Sequence, residues 1–317
     1  MDKPQPLNAP PAPLMPDPEA KGLTAMVKGM DETGQAVTVP VVVEKPMTIF
    51  LNRQEIVTSM TLGDWPECLA VGFLRNQNML ADDDVITAID VEEDLGVIVV
   101  RTERETNYEA KLEKKIRTSG CAQGTVFGDM MEQFDKITLN PDARITTTAM
   151  MALTKAINTA PSLYLTAGAI HGCVLAKGST PLVYMEDVGR HNAVDKIAGW
   201  MFLRQDTGTD KVFYTTGRLT SEMVIKTVQM QIPILISRSG FTESGVELAR
   251  QAGLTLIGRA RGKRFTVLSG AERLIFEDTA SLDPQFEDAG ADEAQSPQRQ
   301  QTSGHPTSGH PSRNGRR

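Results

Sequence analysis

Cys121 stands in the stretch RTSGCAQGTV, residues 117–126, between the pairs Ser119-Gly120 and Gln123-Gly124. A thiol that only fills a core sits in an apolar run, because free cysteine is among the most buried side chains. Glycines on both sides instead free the backbone from any Cβ penalty and let another chain or a ligand come close. The chemistry open to such a residue is nucleophilic and needs the thiolate, which nearby cations such as Lys114, Lys115 and Arg117 favour. The other two cysteines read differently. Cys68 falls in a helical pattern with Trp65, Leu69, Gly72 and Phe73, and Cys173 in the apolar run CVLA, where thiols are inert filling. Three cysteines without framework spacing argue against a disulfide scaffold.

A second chemistry is suggested by cations. The run GRARGKRF, residues 258–265, puts Arg259, Arg261, Lys263 and Arg264 around Ala260 and Gly262, between two apolar strands of a chain whose net charge is -7. Arginine forks pair bidentately with phosphate, so a phosphorylated ligand such as a nucleotide is one reading and a solvated hairpin tip is the other. Two more loops follow apolar strands and lead into helices: TTGR, with Thr216, Gly217 and Arg218, and SRSG, with Ser237 and Arg238. Open α/β sheets bind ligands at that position, and helix amino termini attract anions. Plain capping by Thr220 and Thr242 beside solvated arginines explains the same residues.

The stretch MEDVGRHNAVDKIAG, residues 185–199, places Glu186 and Asp187 at a helix start and His191 and Asp195 four apart on its polar face. With no partner visible, His191 reads as an orienting hydrogen-bonder rather than a catalyst. In AIHGCVLAKG, His171 precedes Cys173 by two, whereas zinc deaminases use His-x-Glu followed by Pro-Cys-x-x-Cys. The glutamate position holds Cys173 and no Cys-x-x-Cys exists, so no metal site is expected. His305 and His310, in the twice-repeated TSGHP, belong to a low-complexity segment.

The elements that must hold these residues follow two rhythms. Between residues 36 and 104 the chain is β-rich: MTIFLN and EIVTSM flank Arg53-Gln54, VITAIDV and GVIVVRT flank EEDL, and one helix runs from about Gly63 to Asn76. From Ile145 on, helix, hairpin and helix lead into a βαβ succession, which implies a largely parallel sheet covered by helices on both faces. The expected organisation is a proline-rich tail over 1–37, a small β-rich α+β domain over 38–104, a connecting segment with the Cys121 loop over 105–144, an α/β domain over 145–282, and a polar tail over 283–317. A chain cut to Thr38–Asp283 is expected to fold unchanged. The sequence pI near 5.3 argues against a nucleic-acid partner, and no apolar run is long enough for a membrane span. The amino terminus lacks a signal peptide's apolar core, so a cytoplasmic location is expected.

Taken in order, EDVGRHNAVDKIAG, TGRLTSEMVIK, AGAIHGC, LTLIGRARGKRF and TSGC resemble the FdhD family, the formate dehydrogenase accessory sulfurtransferases, over roughly Glu44 to Val267. The resemblance implies a cytidine-deaminase-like three-layer αβα domain without the zinc chemistry. It implies that a cysteine persulfide on Cys121 carries sulfur from a cysteine desulfurase to the molybdenum or tungsten bis-guanine-dinucleotide cofactor, bound as substrate, for formate dehydrogenase. It assigns cofactor binding to Arg259, Ala260, Arg261, Gly262, Lys263 and Arg264, and leaves room for a homodimer. Many members carry Cys-x-x-Cys in the loop. Here the fourth position is Gly124, so a second loop cysteine has no role. The alternative is a chaperone that holds the guanylated cofactor without transferring sulfur. A nucleotide deaminase, the third reading, needs zinc.

Overall fold

The computed structural model describes residues 13–81, 83–104, 131 and 133–277, which build a mixed α/β protein. The proline-rich beginning does not remain a tail. Strands β1 (Thr24–Met30) and β2 (Ala36–Val42) pair antiparallel across a turn in which Asp31 Oδ1 accepts from the Thr33 and Gln35 N–H groups at 2.9 and 3.0 Å. Further upstream, Leu14 donates to the Leu182 carbonyl at 3.0 Å and accepts from the Tyr184 N–H at 2.8 Å. The expected tail over 1–37 is therefore corrected from residue 13 onward, and a cut at Thr38 would sever this hairpin. Prolines dominate the first twenty residues, but TAMVKGM and AVTVPVV behind them have the apolar, β-branched content of strands.

Next, β3 (Lys45–Leu51), β4 (Gln54–Thr61), β5 (Ile86–Glu92) and β6 (Val97–Thr102) form a sheet in the order β4-β3-β6-β5. Helix α1 (Pro66–Asn76) buries Leu69, Ala70, Val71 and Leu74 against Met47, Ile49, Leu51, Ile98 and Val100. Trp65, expected on that buried face, is instead the residue before the helix, with φ 50° and 43% exposure. Pro66 follows it, and a residue before proline is disfavoured in the right-handed helical region, so the helix starts at the proline.

The larger sheet holds β8 (His171–Lys177), β9 (Thr180–Asp187), β10 (Val212–Thr215), β11 (Ile234–Ser237), β12 (Thr255–Arg261) and β13 (Arg264–Ser269), in the order β13-β12-β11-β10-β8-β9. A two-residue β7 (Ile145–Thr146) pairs separately with β14 (Leu274–Ile275). Of the larger sheet's five neighbouring pairs only β10–β11 and β11–β12 are parallel, which corrects the largely parallel expectation. Tight turns after Lys177 and Arg261 send the chain straight back, whereas parallel pairing requires a crossover. Two helices supply those crossovers: α5 (Ser221–Gln229) between β10 and β11, and α6 (Glu243–Gln251) between β11 and β12. With α4 (Arg190–Leu203) they cover the face bearing Cys173, Leu175, Phe213 and Leu235. On the other face Val174, Tyr214 and Ile236 meet Met150, Leu153 and Ile157 of α2 (Thr147–Thr159), which is followed by the short α3 (Leu163–Ala167).

The two sheets are joined where α1 crosses α4. A Cβ on Gly72 would overlap the Asp195 carbonyl, and one on Gly199 would overlap the Cys68 carbonyl, so the two backbones touch. Around this contact the polar side chains pair away from water. Lys196 Nζ lies 2.6 Å from Asp187 and 2.5 Å from Asp64, and Asp187 also accepts from Thr61 at 2.5 Å and Asn192 at 2.9 Å. Asp195 meets Lys226 at 2.7 Å and accepts from Asn76 at 2.6 Å. Burial alone would lower the Lys196 pKa, but Asp187 and Asp64 outweigh it and hold the ammonium above its ordinary value. Glu186 and Asp187 end β9 instead of starting a helix, and the expected polar face of α4 is internal, Asp195 being 1% exposed. Gly199→Ala is expected to force this crossing apart and destabilise the protein by roughly 3 kcal/mol or more, the upper range for overpacking against backbone, as read by urea denaturation. A loss under about 1 kcal/mol would show that the helices can separate freely.

Candidate functional site

Three arginine-bearing loops line up at the carboxyl ends of β10, β11 and β12, where ligands of open α/β sheets bind. Backbone hydrogen bonds tie each loop to its neighbour. Thr216 N–H donates to Gly172 O at 2.9 Å, Leu219 N–H to Gly240 O at 2.9 Å, and Arg259 N–H to Ser239 O at 2.8 Å. The last bond exists because β12 bulges after Gly258: Arg259, at φ 55°, turns its N–H from the β13 ladder toward the β11 loop. A non-glycine residue in the left-handed region is uncommon, so the bulge is imposed by this fit.

Within that frame the polar residues divide into holders of the loops and groups open to a ligand. Ser237 is buried, donates to Gly217 O at 2.7 Å and accepts from Ser239 N–H at 2.9 Å, so its hydroxyl shapes the loops. Thr216 Oγ1 accepts from the Gly172 N–H at 3.0 Å and lies 3.4 Å from His171 Nδ1. Gly217 sits against the stem of Arg190. Arg218 is exposed, and the Arg238 guanidinium lies 5.1 Å over the Tyr164 ring. Arg259, Arg261 and Arg264 are exposed, Lys263 and Gly262 half-buried, and Ala260 buried. Burial pushes the Tyr214 phenol up, while Arg238 and Arg261 oppose it, so the second and third loops act on one buried ring.

His171 and His191 are both held neutral. Burial, then the charges of Arg190 and Arg218, lowers His171. Burial, then Lys226 and Arg190, pushes His191 down to about 2, although its Nε2 lies 3.1 Å from Glu222. A carboxylate partner by itself would raise an imidazole, and here desolvation and two cations prevail. Both ring nitrogens are buried without a hydrogen-bond partner among the described residues, so the hydrogen bonds of the expected orienting role are not seen.

The Cys121 loop, with Lys114, Lys115 and Arg117, lies outside the described residues, as do His305 and His310. The end of the connecting segment is described: Phe134 and Leu139 are buried in the core of the large sheet. Cys68 and Cys173 are buried, and desolvation pushes their thiols up to about 11 and about 12. Among the described residues no three His, Cys, Asp or Glu side chains gather as a metal centre, and no helix is long and apolar enough to cross a membrane. Two open clefts of about 560 and 630 Å³ lie at the opposite ends of the parallel strands, beside Gly253 and Gly208. Arg250 and Arg273 line the first cleft, but both donate to backbone carbonyls there, so the loops are the better candidate site. Sequence reasoning missed Arg190 and Tyr164, and it read Thr220 as a plain cap, a bond that its hydroxyl does not make. The signal for Arg190 was a cation at the first position of a helix, where the dipole opposes it.

The chain is thus a mixed α/β protein whose larger sheet carries three interlocked arginine loops at the carboxyl ends of neighbouring strands. The chain belongs to the FdhD/NarQ family, which matches residues 42–275. It is 30% identical over 246 residues to a protein named sulfur carrier protein FdhD from Listeria monocytogenes, covering 76% of this chain and 94% of that one. The Bacillus subtilis protein of the same name is 29% identical over 234 residues, covering 74% and 89%. The crystal structure of a putative formate dehydrogenase accessory protein from Desulfotalea psychrophila superposes with a TM-score of 0.65 at 29% identity, covering 80% of this chain and all of that one.

His191 makes stability depend on acid. Its folded pKa lies below the unfolded value of about 6.5, so below that pH the unfolded chain gains a proton that the folded chain refuses. This group alone is expected to cost about 2 kcal/mol between pH 6.5 and pH 5. The stability of His191→Asn relative to wild type should therefore improve by that amount over the interval in urea titrations, and parallel curves for the two proteins would refute the assignment.

Proposed function

We infer that this chain is a sulfur carrier that loads persulfide sulfur from a cysteine desulfurase onto Cys121 and passes it to a guanine-dinucleotide molybdenum or tungsten cofactor, its substrate, for formate dehydrogenase. The observation that carries the nucleotide half is the rim of Arg218, Arg238, Arg259, Arg261 and Arg264, held in one place by the bonded loops. Guanidinium forks pair with phosphate oxygens bidentately, and fixed loops keep those forks oriented before the ligand arrives. The sulfur half is supported by the family and by elimination, because burial keeps Cys68 and Cys173 protonated. In the loading step the Cys121 thiolate attacks the terminal sulfur of the donor persulfide. A new S–S bond forms, the donor's S–S bond breaks, and the donor cysteine leaves as thiolate.

Mass spectrometry after incubation with desulfurase and cysteine tests the carrier. One added sulfur is expected on wild type, Cys68→Ala and Cys173→Ala, and none on Cys121→Ser. Sulfur retained by Cys121→Ser would overturn the assignment, and an unlabelled wild type would leave a cofactor-holding chaperone. For the nucleotide, Arg261→Gln combined with Arg264→Gln removes charge-assisted hydrogen bonds worth roughly 1.5 to 3 kcal/mol each, so calorimetry with GDP should show at least ten-fold weaker binding. Unchanged affinity would exclude the basic turn.

A further inference from the structure

Arg190, the first residue of α4, is 8% exposed and forms no ion pair or hydrogen bond with any described residue. Its Nε is buried without a partner, and its stem packs on Gly217, bringing the side chain beside the β10–α5 loop. A buried guanidinium without a counter-charge is costly, and at the positive end of a helix more so. The carboxylates of the adjoining turns are engaged elsewhere. Asp187 is taken by Lys196, Thr61, Asn192 and the Gly189 N–H, and Glu222 faces His191.

A second orphan lies at the next helix. Thr220 occupies the N-cap of α5 and is 7% exposed, yet its hydroxyl makes no cap bond and its Oγ1 is buried unpartnered. Thr242, in the same position before α6, caps normally by accepting from Gly245 N–H at 3.2 Å. The N-cap of α4 is Gly189, which has no side chain to offer. Two adjacent helix amino termini thus have no side-chain cap, and they lie side by side, His191 Nε2 of one first turn being 3.1 Å from Glu222 of the other. Arg218 stands exposed in the same loop.

We propose that Arg190, Thr220, Arg218 and the amino termini of α4 and α5 form a second anion subsite, separate from the Arg259–Arg264 turn, that takes a phosphate group. The subsite rests on the nucleotide reading above and deepens it: a guanine nucleotide held at the basic turn would also engage this subsite through a phosphate group. The bound oxyanion accepts from the guanidinium and the helix N–H groups, and the Thr220 hydroxyl donates to it. Free inorganic phosphate offers the same chemistry.

Thermal unfolding of the full chain with inorganic phosphate, and calorimetry with GDP, test this on wild type, Arg190→Met, Arg190→Lys and the Arg261→Gln/Arg264→Gln pair. Wild type should gain Tm on adding phosphate. Arg190→Met should match or exceed wild-type Tm in anion-free buffer, lose the phosphate-dependent gain, and bind GDP at least ten-fold more weakly. The paired variant should keep the phosphate gain while losing GDP affinity. A phosphate gain retained by Arg190→Met, or by Arg190→Lys should the methionine variant fail to fold, would overturn the subsite. If GDP binds wild type and Arg190→Met equally, the subsite falls and the nucleotide reading stands. If phosphate stabilises only chains with Arg190 while GDP does not bind wild type, the subsite stands for free phosphate and the nucleotide reading falls.

Discussion

The backbone contact between Gly72 and Gly199 is the constraint on which the rest of the molecule depends. Only residues without a side chain let α1 and α4 approach so closely, and that approach closes the surrounding layer to water. Lys196, Asp187, Asp64, Asp195, Lys226 and Asn76 are then obliged to pair with one another. A buried ion pair roughly breaks even against an apolar substitute, but removing one partner costs about 3–5 kcal/mol. The network therefore acts less as a source of stability than as a lock on register. Sliding α4 by one turn would leave each of these charges unpaired.

That lock reaches the arginine loops because α4 begins beside them. Its first residue, Arg190, rests on the β10–α5 loop, and its sixth, Asp195, holds Lys226 of α5. The stretch EDVGRHNAVDKIAG thus fixes two helices, two sheets and one wall of the site. Residues of this stretch that resemble catalytic groups are structural in their contacts: Asp187 and Asp195 are consumed by lysines, and His191 is held neutral.

Much of this was legible in the chain. The hairpins around Arg53 and around EEDL, and the alternating strands and helices after Ile145, follow from hydrophobic period and turn residues, which act locally. What escaped was non-local. Proline content hid the hairpin at 24–42, because composition averages over residues that pair individually. The antiparallel setting of β8 and β13 depends on which strand each joins, and their own residues do not specify it. Helix α4 was read as two-faced, yet it is buried on nearly every side, and its acids and lysines look solvated until their partners from α1 and α5 are in place. Arg190 was hidden for the same reason: the anomaly of a buried cation appears only once burial is known.

If the chain carries sulfur as proposed, the arrangement also accounts for how the chemistry is kept selective among three cysteines. Reactivity requires thiolate, and burial, with a smaller push from Glu67 near Cys68 and from Asp195 near Cys173, raises both thiols far above neutral pH. Cys173 lies one residue from Gly172, whose N–H and carbonyl both bond Thr216 of the arginine loops. On the proposed reading, a reactive thiol at that position would compete with Cys121 for sulfur. Turning its side chain into the core between Phe213 and Met185, on the opposite face from Val174, removes that competitor through the alternation of a single strand. The same alternation that packs the sheet thereby decides which sulfur is available, and it ties the selectivity of a carrier to the register that the glycine crossing maintains.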